Sequence, residues 1–173
     1  MIFHDDYQFK GSHTEKVNRL TGAFNKNNNS LFNRNLDVYI LAPIVGFLYN
    51  RTAALDTSGK PANVLYAAMS KETNTLWFNY RLIMLLDKQH EPDFEKRVDK
   101  AFRYYGKEQA KPDEDRYESF VRGGVDILYE KLIEPSHAEE DYLKNLYDFM
   151  EEFEERYGQN SEEIIDLCRL ARS

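Results

Sequence analysis

Between Val38 and Tyr49 the chain runs for twelve residues without a charge, and only Pro43 and Gly46 disfavour a helix there. The run lies inside a polar chain in which 31% of residues are charged. At about 1.5 Å per residue it would reach roughly 18 Å as a helix, short of the roughly 20 apolar residues a bilayer needs. It predicts a central helix over about 36–49, surrounded on all sides by other helices. Pro43 withholds one backbone donor, so a kink or break is expected there.

Apolar spacing is helical along nearly the whole chain, and no segment alternates with period two for long. Ser12-x-x-Glu15 has the form of a capping box and predicts a first helix with Val17, Leu20 and Phe24 on one stripe. Asn25 to Ser30 reads as a polar loop. The spacing from Ala62 to Leu86 predicts helix with a weak point at Ser70 to Thr75, and Pro61 suits a first helical position. A helix opened by Pro92 carries Phe94, Val98, Phe102 and Tyr105 and stops at Gly106. After a charged linker (Lys107 to Asp113), Tyr117, Val121, Gly124, Leu128 and Leu132 mark another, with Gly123-Gly124 permitting close packing or a local break. Ser136-x-x-Glu139 precedes the clearest amphipathic pattern, where Tyr142, Leu146, Phe149, Met150, Phe153 and Tyr157 share a stripe ended by Gly158. Ser161 suits the cap of a last helix bearing Ile164, Ile165 and Cys168. The expectation is an all-α, single-domain helical bundle of about six to eight helices, residues 1–173, with the N-terminal ten or so residues mobile.

With 173 residues, a chain buries about 70% of its unfolded surface. Met1 to Phe9 lacks a signal-like apolar core, and a lone Cys168 forms no internal disulfide, so a cytoplasmic setting is expected. One Cys and four scattered His residues give no zinc pattern, and no cofactor motif is present, so neither metal nor cofactor is expected. The net charge of −7 is uneven: residues 1–60 carry +2 and residues 61–173 carry −9. Eleven acidic residues fall in 137–166, opposed by Lys144 and Arg156. This balance repels phosphate backbones and favours basic partners.

Arg81 interrupts an apolar helix, and a buried guanidinium calls for a carboxylate, with Asp37 and Asp56 as expected partners. A functional alternative makes Arg81 an anion-binding or catalytic residue. The surplus of aromatic residues points to an interface, with Trp77, Phe78, Tyr104 and Arg51 as expected contacts. Arg34, Arg51 and Lys60 would form a basic N-terminal face for nucleic acid. The acidic stretch 139–155 would instead mimic phosphates in a partner's basic groove, although such rows are usually solvated. Neither His4-Asp5-Asp6 nor Ser12-His13 makes a nucleophile–base–orienter set.

The strings Leu36 to Tyr39, Leu48 to Arg51 and Arg81 to Asp87 resemble small helical proteins encoded beside bacterial anti-phage systems. The resemblance implies one component of a larger assembly and carries over no functional residue. The first functional expectation is therefore a non-enzymatic adaptor or accessory subunit of a larger cytoplasmic assembly, such as a bacterial defence-type complex, that binds a protein partner of basic character. A nucleic-acid-associated module is the second expectation and an enzyme centred on Arg81 the third. No membrane association is expected, and a homo-oligomer stays open.

Overall fold

The apolar run folds as a helix of fourteen residues, Asn35–Leu48, that continues unbroken through Pro43. It packs along the longest helix among the described residues, Lys111–Leu132, over an extensive interface. Close approach depends on glycine at both surfaces. A Cβ on Gly46 would strike the Phe120 carbonyl, and one on Gly124 would strike the backbone of Ala42. Side chains cannot relieve such overlaps, because both obstacles are main chain. Gly123-Gly124 thus permits close packing, and the helix does not break there.

The computed structural model describes residues 1–158 and 162–173. Numbered along the chain, the elements are β1 (Tyr7–Phe9), α1 (Ser12–Thr21), α2 (Asn35–Leu48), β2 (Ala62–Val64), α3 (Tyr66–Met69), α4 (Thr73–Leu86), α5 (Phe94–Phe102), α6 (Lys111–Leu132), α7 (Glu139–Tyr157) and α8 (Glu162–Arg172). Among the described residues the fold is thus a mostly helical bundle of eight α-helices with one small antiparallel ribbon. No helix among them is long and apolar enough to cross a membrane. Ser161, expected to cap the last helix, lies outside the described residues.

Several expectations need correction. Ala62 to Val64 is not helical; it pairs with β1 in the register Tyr7–Val64, Gln8–Asn63, Phe9–Ala62. Strands of three residues are too short for periodicity to register. This ribbon holds down the N-terminal segment expected to be mobile. Ile2, Phe3 and Phe9 are buried, and Phe3, at a positive φ of 65°, packs edge-on against Tyr39, Trp77 and Tyr117. Such a φ is strained for a bulky residue, and three ring contacts offset the strain. Nor is α2 enclosed on all sides, because Leu41 is 38% exposed and Ile40, Ile44, Phe47 and Leu48 are half-buried. On α8 the buried residues are Leu167 and Ala171, while Ile164 and Ile165 face outward.

Both expected capping boxes are replaced by carboxylates. Helix α1 begins at Ser12 without a side-chain cap of its own; Asp56 instead accepts hydrogen bonds from the Ser58 N–H and hydroxyl and from the Ser12 N–H, which hold its carboxyl below the usual range. At α7, Asp141 in the first turn reaches back to accept the N–H groups of His137 and Ala138, each at 2.8 Å. Asp37 does the same for α2, accepting the Arg34 N–H at 2.9 Å. Carboxylates suit these sites because orphan amides and the positive helix end both favour an anion.

Buried polar side chains pin the helices to one another. Asn79 of α4 donates to the Ile40 carbonyl of α2 at 2.7 Å. Arg97 of α5 donates to the carbonyls of Leu85, Glu91 and Pro92. Between α1 and α6, Asp126 accepts from Lys16 at 2.6 Å and lies 3.3 Å from His13 Nε2. Burial alone would raise the Asp126 carboxyl; hydrogen bonds from His13 and Lys16 overcome this and leave it below the usual carboxylate value. A carboxyl depressed in the folded state stabilises the fold above its unfolded pKa of about 3.9, and that contribution is lost as the pH falls through the folded value. Asp126→Asn is therefore expected to lower stability at pH 7 and to shrink the loss between pH 7 and pH 3. Urea unfolding at the two pH values measures both effects, and an unchanged pH dependence would show the cluster to be idle.

Candidate functional site

A large open groove lies beside α2. Leu41, left uncovered on that helix, forms one wall with Leu31 of the preceding loop, and α7 forms the other with Leu146, Met150, Phe153 and Tyr157. The groove encloses about 710 Å³ and is mostly apolar. Two α7 carboxylates, Glu151 and Glu154, stand in its lining.

Its shape follows from two amphipathic patterns that do not fully cover each other. On α7 only Phe149 is buried, although the apolar stripe extends from Tyr142 to Tyr157. Met150 and Tyr147 are each 61% exposed, and Leu143 is 60% exposed. Side chains at i, i+3, i+4 and i+7 share a face, so Leu143, Tyr147 and Met150 continue the groove along the outside of α7. The frame is held firmly: the Tyr157 hydroxyl donates to the Leu48 carbonyl at 2.7 Å and the Tyr49 hydroxyl to Glu152 at 3.0 Å, while Lys131 pairs with Glu152 at 2.6 Å. Burial, then hydrogen bonding to Glu152, pushes the Tyr49 phenol up to about 12, so it stays a donor at any ordinary pH.

Of the residues expected to form a contact patch, Trp77 and Phe78 share the lining of a cavity of about 400 Å³ with Arg81. Trp77 is half-buried in a ring cluster with Phe3, Tyr80 and Tyr105. Phe78 is half-buried beneath Arg172, whose guanidinium lies 5.3 Å from the ring centroid. Tyr104 follows α5 and bonds to Asp99 through its backbone. Arg51, beyond the C-terminus of α2, is exposed and paired with Glu130 of α6.

Arg81 meets neither of its expected partners. Asp37 is held by Arg34 at 2.6 Å, and Asp56 caps α1. The Arg81 guanidinium instead lies over the rings of Trp77 and Phe102, 5.4 and 4.9 Å from their centroids, with one nitrogen 3.5 Å from the Ala171 carbonyl in the last turn of α8. Aromatic faces and the negative end of a helix stabilise a cation without a carboxylate. The proposed basic face is also dispersed. Arg34 and Arg51 flank opposite ends of α2, roughly 20 Å apart at 1.5 Å per residue. Each is paired with a carboxylate, and Lys60 is exposed in the loop between α2 and β2.

A second cavity, of about 530 Å³, lies where the N-terminal segment crosses the start of α6. Its lining is acidic and aromatic, including Asp5, Glu114, Asp115, Glu118, Phe3 and Tyr39. Periodicity gave no sign of it, because Asp5 and Phe3 reach it from a segment with no helical pattern. The same limit applies to the apolar groove: a stripe on α7 is visible in sequence, but whether a neighbouring helix covers it is not. Among the described residues no group of three or more His, Cys, Asp or Glu is placed to hold a metal ion. Comparison with protein-family models, curated proteins and solved structures returned no match.

Proposed function

We propose that the protein is a binding module, an adaptor or accessory subunit, whose groove between α2 and α7 receives a basic amphipathic helix of a partner protein. The observation that carries this reading is the apolar strip of Leu41, Leu143, Tyr147 and Met150, left open beside a groove fringed with carboxylates. Helix-in-groove recognition uses an apolar face with anchors at i, i+3, i+4 and i+7, which matches the repeat along this strip. Glu151 and Glu154 lie in the lining, and Asp148 and Glu155 are exposed on the same helix, so a partner with Lys or Arg flanking its apolar face complements the field. A second copy of this chain would bring one acidic α7 against another, and like charges oppose that pairing. Full burial of an apolar side chain stabilises by about 1.5–3 kcal/mol, so three or four anchors suffice for micromolar binding after the cost of association.

Met150→Glu puts a charge at the centre of the strip on an exposed helical position, where the fold tolerates it. Binding of a synthetic Leu/Lys amphipathic helix, followed by fluorescence polarisation, is expected to weaken at least tenfold. The wild-type protein is expected to prefer that peptide over its Leu/Glu counterpart. In affinity purification from the native host, basic proteins retained by the wild type and lost with Met150→Glu would identify the partner. Equal binding of both peptides, or equal recovery by both proteins, would remove this reading. A concentration-dependent dimer abolished by Met150→Glu would replace the partner with a second copy.

A further inference from the structure

We infer that the cavity between α4 and the end of α8 binds a small phosphate monoester through the guanidinium groups of Arg81 and Arg172. This site is separate from the groove beside α7 and does not depend on it.

Helix α4 supplies one wall of the cavity, about 400 Å³ in volume, with Asn74, Trp77, Phe78 and Arg81, and the last turn of α8 supplies Ala171 and Arg172. The four α4 residues stand at i, i+3, i+4 and i+7, so one face of the helix carries them all. Packing of α8 on α4 sets the Arg172 guanidinium over Phe78, 5.3 Å from the ring centroid, while that of Arg81 lies over Trp77 and Phe102. A cavity of this size takes a small organic molecule.

Two observations point to an anion. No carboxylate lines the cavity, and among the described residues neither Arg81 nor Arg172 is paired with one. Acidic residues outnumber Lys and Arg by 30 to 23 in this chain, so two neighbouring arginines without a carboxylate are unusual in it. The second observation is an unmet donor. Arg81 Nε is buried without a hydrogen-bond partner among the described residues, and the bond from Nη1 to the Ala171 carbonyl is long at 3.5 Å. Ring faces and the end of α8 stabilise the cation but leave most of its N–H groups without an acceptor. An oxyanion in the cavity supplies both acceptor and counter-charge. The carbonyl end of α8 opposes an anion with about half a charge, against two full positive charges.

The charge selects phosphate over carboxylate. A phosphate monoester carries about −1.5 to −2 at pH 7 and matches two guanidinium groups, whereas a carboxylate matches one. Guanidinium forks also pair with phosphate oxygens two bonds at a time. Because Trp77 and Phe78 share the lining, an ester with an apolar body gains contact that bare phosphate lacks.

Trp77 is the single tryptophan of the chain, so its fluorescence reports directly from the cavity wall. Titration of the full chain with phenyl phosphate is expected to saturate and to change that emission, with isothermal titration giving the affinity. Inorganic phosphate and benzoate should bind severalfold more weakly, and 2-phenylethanol should not bind. Arg172→Gln, at an exposed position that the fold tolerates, should weaken phenyl phosphate about tenfold. Arg81→Lys keeps the charge but loses the fork and should weaken it to a similar degree, whereas Arg19→Gln on α1 should leave it unchanged. If Arg81→Lys fails to fold, Arg172→Gln decides alone. No saturation by phenyl phosphate, or equal binding by Arg172→Gln and the wild type, would overturn the site. Benzoate or inorganic phosphate binding as tightly as phenyl phosphate would overturn its assignment to a phosphate monoester.

Discussion

Gly124→Ala is expected to destabilise the protein by about 4 kcal/mol, at the upper end of what overpacking causes. By helix propensity alone the same change would stabilise, since Ala is favoured over Gly by about 1 kcal/mol in a helix interior. The sign of the effect therefore tells which force governs the site. At Gly124 the new methyl would meet the Ala42 carbonyl and Cα, so α2 and α6 would have to separate. Separation opens the interface that buries Val38, Ala42, Val45, Phe120, Val121 and Leu128. Gly46→Ala should cost a similar amount, because its methyl meets the Phe120 carbonyl from the other side. Gly123→Ala should cost less. Its methyl meets the main chain of Arg51 and Thr52, which lie outside any helix, so relief there does not require two helices to part. Urea unfolding followed by circular dichroism gives the three values. A stabilised Gly124→Ala would mean that the helices do not cross this closely.

The order of these costs also shows why part of the fold was legible in the sequence and part was not. A periodic stripe reveals which face of a helix is apolar, so α2 and α7 lie near their expected bounds and Gly158 ends α7, whereas α5 stops at Phe102, short of Gly106, and α6 begins at Lys111, inside the expected linker. Distance between helices is not periodic information. Gly123-Gly124 fits either close packing or a break in sequence, and only the main chain of Ala42 against Gly124 decides between them. Coverage is not periodic either: the α7 stripe reads the same whether a neighbour seals it or, as here, leaves Met150 and Tyr147 open. Arg81 carries a related lesson, since burial statistics call for a carboxylate, yet two rings and the end of α8 took its place. Features made by short segments from distant parts of the chain were hidden altogether. The β1–β2 ribbon spans residues 7–9 and 62–64, and the acidic cavity combines residues 3–5 with residues 114–118. Trp77 and Phe78 of α4 are half-buried beside Arg81, and the more open surfaces are ones whose geometry sequence does not encode locally.

The second large effect is expected from Lys100→Met. Asp113 of α6 is 2% exposed, and its carboxylate is held by Lys100 of α5 at 2.7 Å with His90 at 3.7 Å. Removing the lysine leaves a buried carboxylate facing an apolar thioether, which costs about 3–5 kcal/mol in comparable pairs. Asp113→Asn should cost less, about 1–2 kcal/mol, because Lys100 is more accessible and regains water while the amide keeps one hydrogen bond. The double variant Lys100→Met with Asp113→Leu removes both charges and should recover most of the loss. A double-mutant cycle by urea unfolding therefore has a defined signature: unequal single losses and a strongly favourable coupling. Equal, additive losses would show that the pair is solvated and contributes nothing particular. The pair fixes α5 to the start of α6, the helix whose Glu114 and Glu118 line the acidic cavity, so its loss is expected to loosen that wall as well.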